Sequence, residues 1–157
     1  MLNQSLLVKN KSLALFGGTV ILFLGIVSAV AVGNTRVVRE EVTLMRTPNG
    51  GIQPRVVVDQ KGVLHLIYFK GDPGAGDTYY VRKAPGVTEF SRPIRVNSVP
   101  GSAVAIGSVR GAQIAIGKDG RVHLAWLGSS TAQPRGPNNA TPTHYSRVND
   151  AGTSFEP

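Results

Sequence analysis

Cysteine is missing from all 157 residues, which excludes a disulfide framework and any thiolate metal site. That absence does not by itself identify a redox compartment. Runs of like charge are missing as well. Lys and Arg total 17 against 9 Asp and Glu, and the formal net charge of +8 would suit a nucleic-acid partner. Yet the basic residues are scattered between Arg36 and Arg147. Without a basic helix, an RNA-binding aromatic motif or zinc spacing, no nucleic-acid partner is expected. Gly74-Ala75-Gly76 lacks the Gly-Lys-Ser/Thr that would continue a phosphate loop, so no nucleotide site is read there. From Ile52 onward helical periodicity is missing too. The length suits one domain with a modest core.

One long apolar run is present, at the N-terminus. Lys9 and Lys11 precede an uncharged stretch at 13–32. A membrane-spanning helix needs roughly 20 mainly apolar residues, so this stretch is long enough. Basic residues before it favour an inside N-terminus and an exported remainder. Ala29-Val30-Ala31 also has the small-Xaa-small pattern of a signal cleavage site. The chain is therefore expected to be exported, either anchored in the membrane by a helix at 13–32 or secreted after cleavage near Ala31. This divides it into a leader at 1–35, a linker at 36–51 and a folded part at 52–157. In the linker, Val37, Val38, Val42 and Leu44 could form a strand before Pro48-Asn49-Gly50-Gly51 breaks the chain.

The folded part is written twice. The run from Val56 through Asp59-Gln60-Lys61-Gly62 to Val63-Leu64-His65-Leu66-Ile67-Tyr68 recurs as Ile114 through Gly117-Lys118-Asp119-Gly120 to Arg121-Val122-His123-Leu124-Ala125-Trp126. Each copy is an apolar run, a polar turn ending in glycine, then an alternating run carrying His and a large aromatic, which is a strong hairpin signal. From 56 to 114 the period is 58 residues, a size expected of repeated β-units such as propeller blades. Tyr79-Tyr80-Val81-Arg82 is answered by His144-Tyr145-Ser146-Arg147, and Phe90-Ser91-Arg92-Pro93 by Phe155-Glu156-Pro157.

Strands are expected at 55–59, 63–69, 78–83 and 93–96 in the first unit (52–97). In the second (110–157) they are expected at 112–116, 121–127 and 143–147, with 103–106 adding a short strand between the units. Irregular loops are expected at 71–77 and 128–142, both rich in Gly and Pro. The fold class is all-β, with antiparallel four-stranded blades, about two of them and the second unfinished. Open edges of such a segment would invite pairing with other chains.

Asp150-Ala151-Gly152-Thr153-Ser154-Phe155 resembles the Asp box of sialidase-like, BNR-repeat propellers, written Ser-Xaa-Asp-Xaa-Gly-Xaa-Thr-Trp. Asp150, Gly152, Ser154 and Phe155 fill its Asp, Gly, hydroxyl and aromatic places, and Val148 stands at the leading Ser. In such a turn an Asp carboxylate accepts backbone N–H groups, Gly takes a left-handed conformation and the aromatic packs into the blade. Residues 84–90 look like a decayed version without the Asp.

The resemblance covers 52–157 and implies an N-terminal portion of a sialidase-like β-propeller. It implies hydrolysis of terminal sialic acids by the full-length protein, with no metal or organic cofactor and a glycan or sialoglycoconjugate as partner. Such enzymes hold the substrate carboxylate with three arginines and use a Tyr–Glu pair as nucleophile with an Asp as acid/base. When Pro54 is matched to the family's Arg-Ile-Pro motif, the arginine place falls on Ile52 and Arg55 is the nearest substitute. Asp72, then Asp77, are the acid/base candidates. The alternative is a non-catalytic propeller that binds a carbohydrate or protein.

His65 and His123 occupy equivalent places, where packing is favoured over metal ligation. Tyr68 and Trp126 are likewise equivalent and are expected between blades rather than stacked on sugar. Asn139-Ala140-Thr141 matches an N-glycosylation sequon.

Overall fold

The computed structural model describes residues 42–108 and 111–157, so the leader expected over 13–32 lies outside the described residues. Among the described residues no helix is long and apolar enough to cross a membrane. The fold is antiparallel β-sheet throughout. Strands β1 (Ile52–Val58), β2 (Leu64–Asp72), β3 (Ala75–Lys83) and β4 (Ile94–Arg95) form one sheet in chain order. Strands β5 (Gln113–Ile116), β6 (Val122–Leu127) and β7 (Thr143–Arg147) form a second, also in chain order.

The duplicated turns have the same backbone geometry. Asp59 N–H donates to Val63 O and Gly62 N–H to Asp59 O; in the second copy Gly117 N–H donates to Arg121 O and Gly120 N–H to Gly117 O. Gly62 and Gly120 have φ of 75° and 77°, a region that glycine enters without steric cost. The start of a fourth strand is also duplicated, since Ser91 N–H donates to Arg82 O and Glu156 N–H to Arg147 O.

Three expectations are corrected. The loop expected at 71–77 is mostly strand: β2 and β3 pair up to Asp72↔Ala75, leaving only Pro73-Gly74 as the turn. Asp72 Oδ1 accepts the Gly74 N–H at 2.8 Å, and Gly71 continues the strand at φ 112°. Here glycine serves close packing rather than a break, because a Cβ on Gly76 would lie 2.3 Å from the Phe69 ring. The short strand at 103–106 reduces to Ala103, bridged to Gly76 on one side and Gly128 on the other. In the described part of the linker, Val42 and Leu44 are exposed and belong to no strand.

Successive side chains of a strand point to opposite faces. One face of the first sheet presents Ile67, Phe69 and Tyr80. These form a single core with Ile114, Ile116, Val122, Leu124 and Trp126 of the second sheet. The other face of the first sheet gathers Leu66, Tyr68 and Val81 with Leu64, Tyr79 and Phe90. By the repeat, Ile67 corresponds to Ala125 and Leu66 to Leu124. The sheets therefore stack head to tail, with unlike faces in contact.

The connection between them is polar and buried. Asn97, with no exposed surface, accepts the Thr78 N–H at 2.9 Å and donates to Asp77 Oδ1, Val99 O and Ser102 Oγ. Ser129 Oγ of the second unit donates to Gly101 O at 2.7 Å. Asn97→Ala would leave the buried Thr78 amide without its acceptor and remove one of the two partners of the Asp77 carboxylate. A destabilisation of about 3 kcal/mol is expected. Urea unfolding followed by circular dichroism measures it; a loss within 0.5 kcal/mol would contradict this account.

Candidate functional site

Strand β1 opens on a bulge. Ile52 pairs with Phe69 and Arg55 with Ile67, so three steps on β1 answer two on β2. Residues directly opposite in an antiparallel ladder share a face. The bulge thus returns Arg55 to the face that carries Ile52, where plain alternation would have put it on the opposite one. Gln53, at the bulge, has φ of 51°, a costly conformation for a residue with a side chain. Its Nε2 donates to Ala105 O at 3.3 Å, and its Oε1 is buried without a partner among the described residues. Strain at a bulge beside an exposed arginine makes this end of the sheet the candidate site.

The expected acid/base residues stand apart from it. Asp72 lies five places along β2 from Ile67, the partner of Arg55. At a rise of about 3.3 Å per residue, roughly 16 Å separates the two rows. Its carboxylate is engaged by the hairpin turn. The Asp77 carboxylate accepts from Asn97 Nδ2 at 2.6 Å and from the Gly101 N–H at 2.8 Å. The described residues therefore do not bring Arg55 and an acid/base carboxylate together.

A second constellation starts in the row of Arg55, where Ile67 pairs with both Arg55 and Tyr80, and runs from Tyr80 towards the β1–β2 turn. His65 Nδ1 is 2.7 Å from the Tyr80 hydroxyl, and its Nε2 is 3.3 Å from Asp59 Oδ2. Asp59 Oδ1 accepts the N–H groups of Lys61 and Val63 at 2.8 and 2.9 Å. These bonds and the facing imidazole hold its carboxyl below the usual range, overcoming the opposing effect of burial. Burial pushes the Tyr80 phenol up to about 12. With the ring proton on Nε2, the phenol donates to Nδ1 and Nε2–H faces Asp59. The same burial opposes formation of a phenolate, so Tyr80 is unsuited to be a nucleophile.

The pair is repeated in the second unit, where His123 Nδ1 meets the Tyr145 hydroxyl at 2.6 Å. Gly117 replaces Asp59 there, and His123 Nε2 fills the space: a Cβ on Gly117 would lie 2.5 Å from it. Both His–Tyr pairs stack with centroids 5.9 Å apart. Duplication with the acid kept in only one copy identifies a packing device. Tyr68 stacks on Tyr79 at 5.7 Å and Trp126 on His144 at 5.4 Å. Tyr68 and Trp126 are buried, which leaves neither ring face open to a sugar.

In the turn resembling an Asp box, the polar centre is Asn149 rather than Asp150. Asn149 Oδ1 accepts the Thr153 and Ser154 N–H groups at 2.9 and 3.3 Å, and its Nδ2 donates to Ser154 Oγ at 2.9 Å. Asp150 points outward to Arg121, which also approaches Asp119 and Glu156. Gly152 has φ of 67°, and Phe155 meets Tyr80 edge-on at 5.5 Å, tying this turn to the first sheet.

Sequence reasoning passed over Asn97, Asn149, Arg121 and Arg135. Arg135 donates to Ser129 O, Ser130 O and Asn139, holding the loop at 128–142 together. One signal was available: Asn149-Xaa-Xaa-Gly152 has the same Asx-to-Gly spacing as Asp59-Xaa-Xaa-Gly62.

Two outcomes are expected. Asn149→Ala leaves two amides of a tight turn unpaired and should cost about 1–2 kcal/mol, while Asp150→Ala, losing an exposed pair, should stay within about 0.5 kcal/mol. Chemical denaturation of both variants measures the difference. Tyr80 gives a pH effect of determinate sign. Its folded pKa lies above the unfolded value near 10, so its contribution is full below pH 10 and is lost as pH rises towards 12. Wild type should lose on the order of 2–3 kcal/mol more than Tyr80→Phe over that interval. Parallel curves in urea titrations at pH 9–12 would refute this.

Against known proteins, no family model matches the chain, and neither does any curated protein or solved structure.

Proposed function

We propose that this chain is an exported, sialidase-like β-propeller segment that takes part in glycan recognition, tethered by or released from its leader. The observation that carries the reading is the head-to-tail stacking of two equivalent antiparallel sheets. The Tyr80–Phe155 contact supports it, because it places an aromatic from the Asp-box-like turn against the neighbouring sheet. Blades of a propeller repeat in this way around a ring.

Binding is favoured over hydrolysis for this chain. Arg55 is exposed at the bulge and is the residue assigned to an acidic sugar, since a guanidinium forks onto a carboxylate bidentately. Glycosidic cleavage needs an acid/base group within reach of the same ligand. Asp72 sits too far along the sheet to supply it. The full-length relative that the resemblance implies would be an exo-α-sialidase.

Isothermal titration of the full chain in mild detergent with α-methyl sialoside, beside a fluorogenic sialoside assay, tests the proposal. Weak binding without turnover is expected, and Arg55→Ala should lower affinity at least about tenfold, the scale of one charged hydrogen-bonding pair. Turnover abolished by Arg55→Ala and by Asp72→Ala would establish the hydrolase instead. No binding and no turnover would remove the glycan assignment.

A further inference from the structure

Positions that are buried in the first unit are half-buried or exposed in the second. His65, Ile67, Phe69 and Tyr80 are 6%, 1%, 1% and 2% exposed beneath the second sheet. By the repeat, their counterparts are His123, Ala125, Leu127 and Tyr145. Leu127 is 41% exposed and Tyr145 59%. The ladder sets Tyr145 opposite Ala125 and Thr143 opposite Leu127, so these four share one face. At the other end of the stack, Val56 and Val58 of β1 are 51% and 60% exposed. Their counterparts Ile114 and Ile116 pack into the core between the sheets.

We propose that the open face of the second sheet, centred on Ala125 and Tyr145, docks the outer β1 face of a second copy of this chain, centred on Val56 and Val58. The occupant is identified by the contact already made within one chain. Ile114 and Ile116 show what the β1 face of this module seats against, and Ile67 and Tyr80 show what receives it. Copies meeting in this way make a heterologous, head-to-tail interface, which continues until the rotation closes a ring or forms an open filament. On the outer face Leu66, Tyr68 and Val81 are already buried, so the contact falls on the β1 half and is narrower than the one within the chain. Association is accordingly weaker and depends on concentration. The proposal rests on the stacking of the sheets alone, so a chain that binds no sialoside can still satisfy it.

The missing cysteines make a site-specific test available. Full-length Val56→Cys and Ala125→Cys, each a conservative change carrying a single thiol, are purified in mild detergent and treated with a short bismaleimide. A covalent dimer in the mixture, and in neither variant alone, is expected; association through the leader would not produce that selectivity. Ala125→Glu should shift sedimentation towards the monomer. Val58→Cys with Leu127→Cys repeats the test at neighbouring positions should either first variant fold poorly. A monomeric wild type without mixed dimer would overturn the proposal. So would Ala125→Cys joining only to itself, which would mean symmetric pairing of open faces.

Discussion

The structure depends on two sheets of one pattern meeting through unlike faces. Stacking like faces would have set Ile67 and Phe69 against Ala125 and Leu127, a smaller apolar surface than Leu124 and Trp126 offer. The observed arrangement sets them against Leu124 and Trp126, with Phe155 reaching across to Tyr80. At roughly 25 cal/mol per Å² of buried apolar surface, large side chains on both sides of the seam dominate the packing energy. Ala103 fixes the seam at one end. Its N–H donates to Gly76 O and its O accepts the Gly76 N–H, while a second bridge runs to Gly128. Both glycines are required by space: a Cβ on Gly76 meets Phe69, and one on Gly128 lies 2.6 Å from Ala132 Cβ. The connection between the units is therefore part of the packing.

Polar groups fix the orientation that apolar contact leaves free. Asn97, Asp77, Ser102 and Ser129 form a hydrogen-bonded set across the connection. At the opposite end Arg121 gathers Asp119, Asp150 and Glu156, joining the β5–β6 turn to the turn after β7. The first set is the stronger constraint, since buried donors and acceptors without partners carry a full desolvation cost. Exposed ion pairs such as those of Arg121 contribute little by comparison.

Much of this was legible in the chain because strands and hairpins are local. Expected strands at 63–69, 121–127 and 143–147 correspond to β2, β6 and β7 within a residue or a few at each end. The turn glycines announced themselves by spacing, and the repeat gave the correspondence of His65 with His123 before any contact was known. What sequence could not reveal was set by distant groups. Gly71 and Gly76 look like breakers until the Phe69 ring is placed beside Gly76. The bulge at Gln53 becomes visible only through the register with β2, and that register decides which face Arg55 occupies. Asn149 and Asp150 are adjacent polar turn residues, and only the three-dimensional turn shows which one turns inward.

The two units have diverged where the repeat is least constrained. Asp59 closes a chain of hydrogen bonds through His65 to Tyr80 beneath the second sheet, where an unpaired imidazole nitrogen would be costly. His123 keeps its tyrosine yet has glycine in place of the acid, on a face that nothing in the described chain covers. A buried polar ring needs both nitrogens satisfied; an exposed one can leave the second to water. Loss of the acid therefore follows from exposure and needs no separate chemical role. By the same reasoning the strained, partly unsatisfied Gln53 is the feature that packing does not explain. A costly φ persists beside Arg55 against a single hydrogen bond to Ala105 O, and the buried Oε1 has no partner among the described residues. That imbalance is the physical reason the proposed recognition site is the bulge and not the better-formed Asp59–His65–Tyr80 chain.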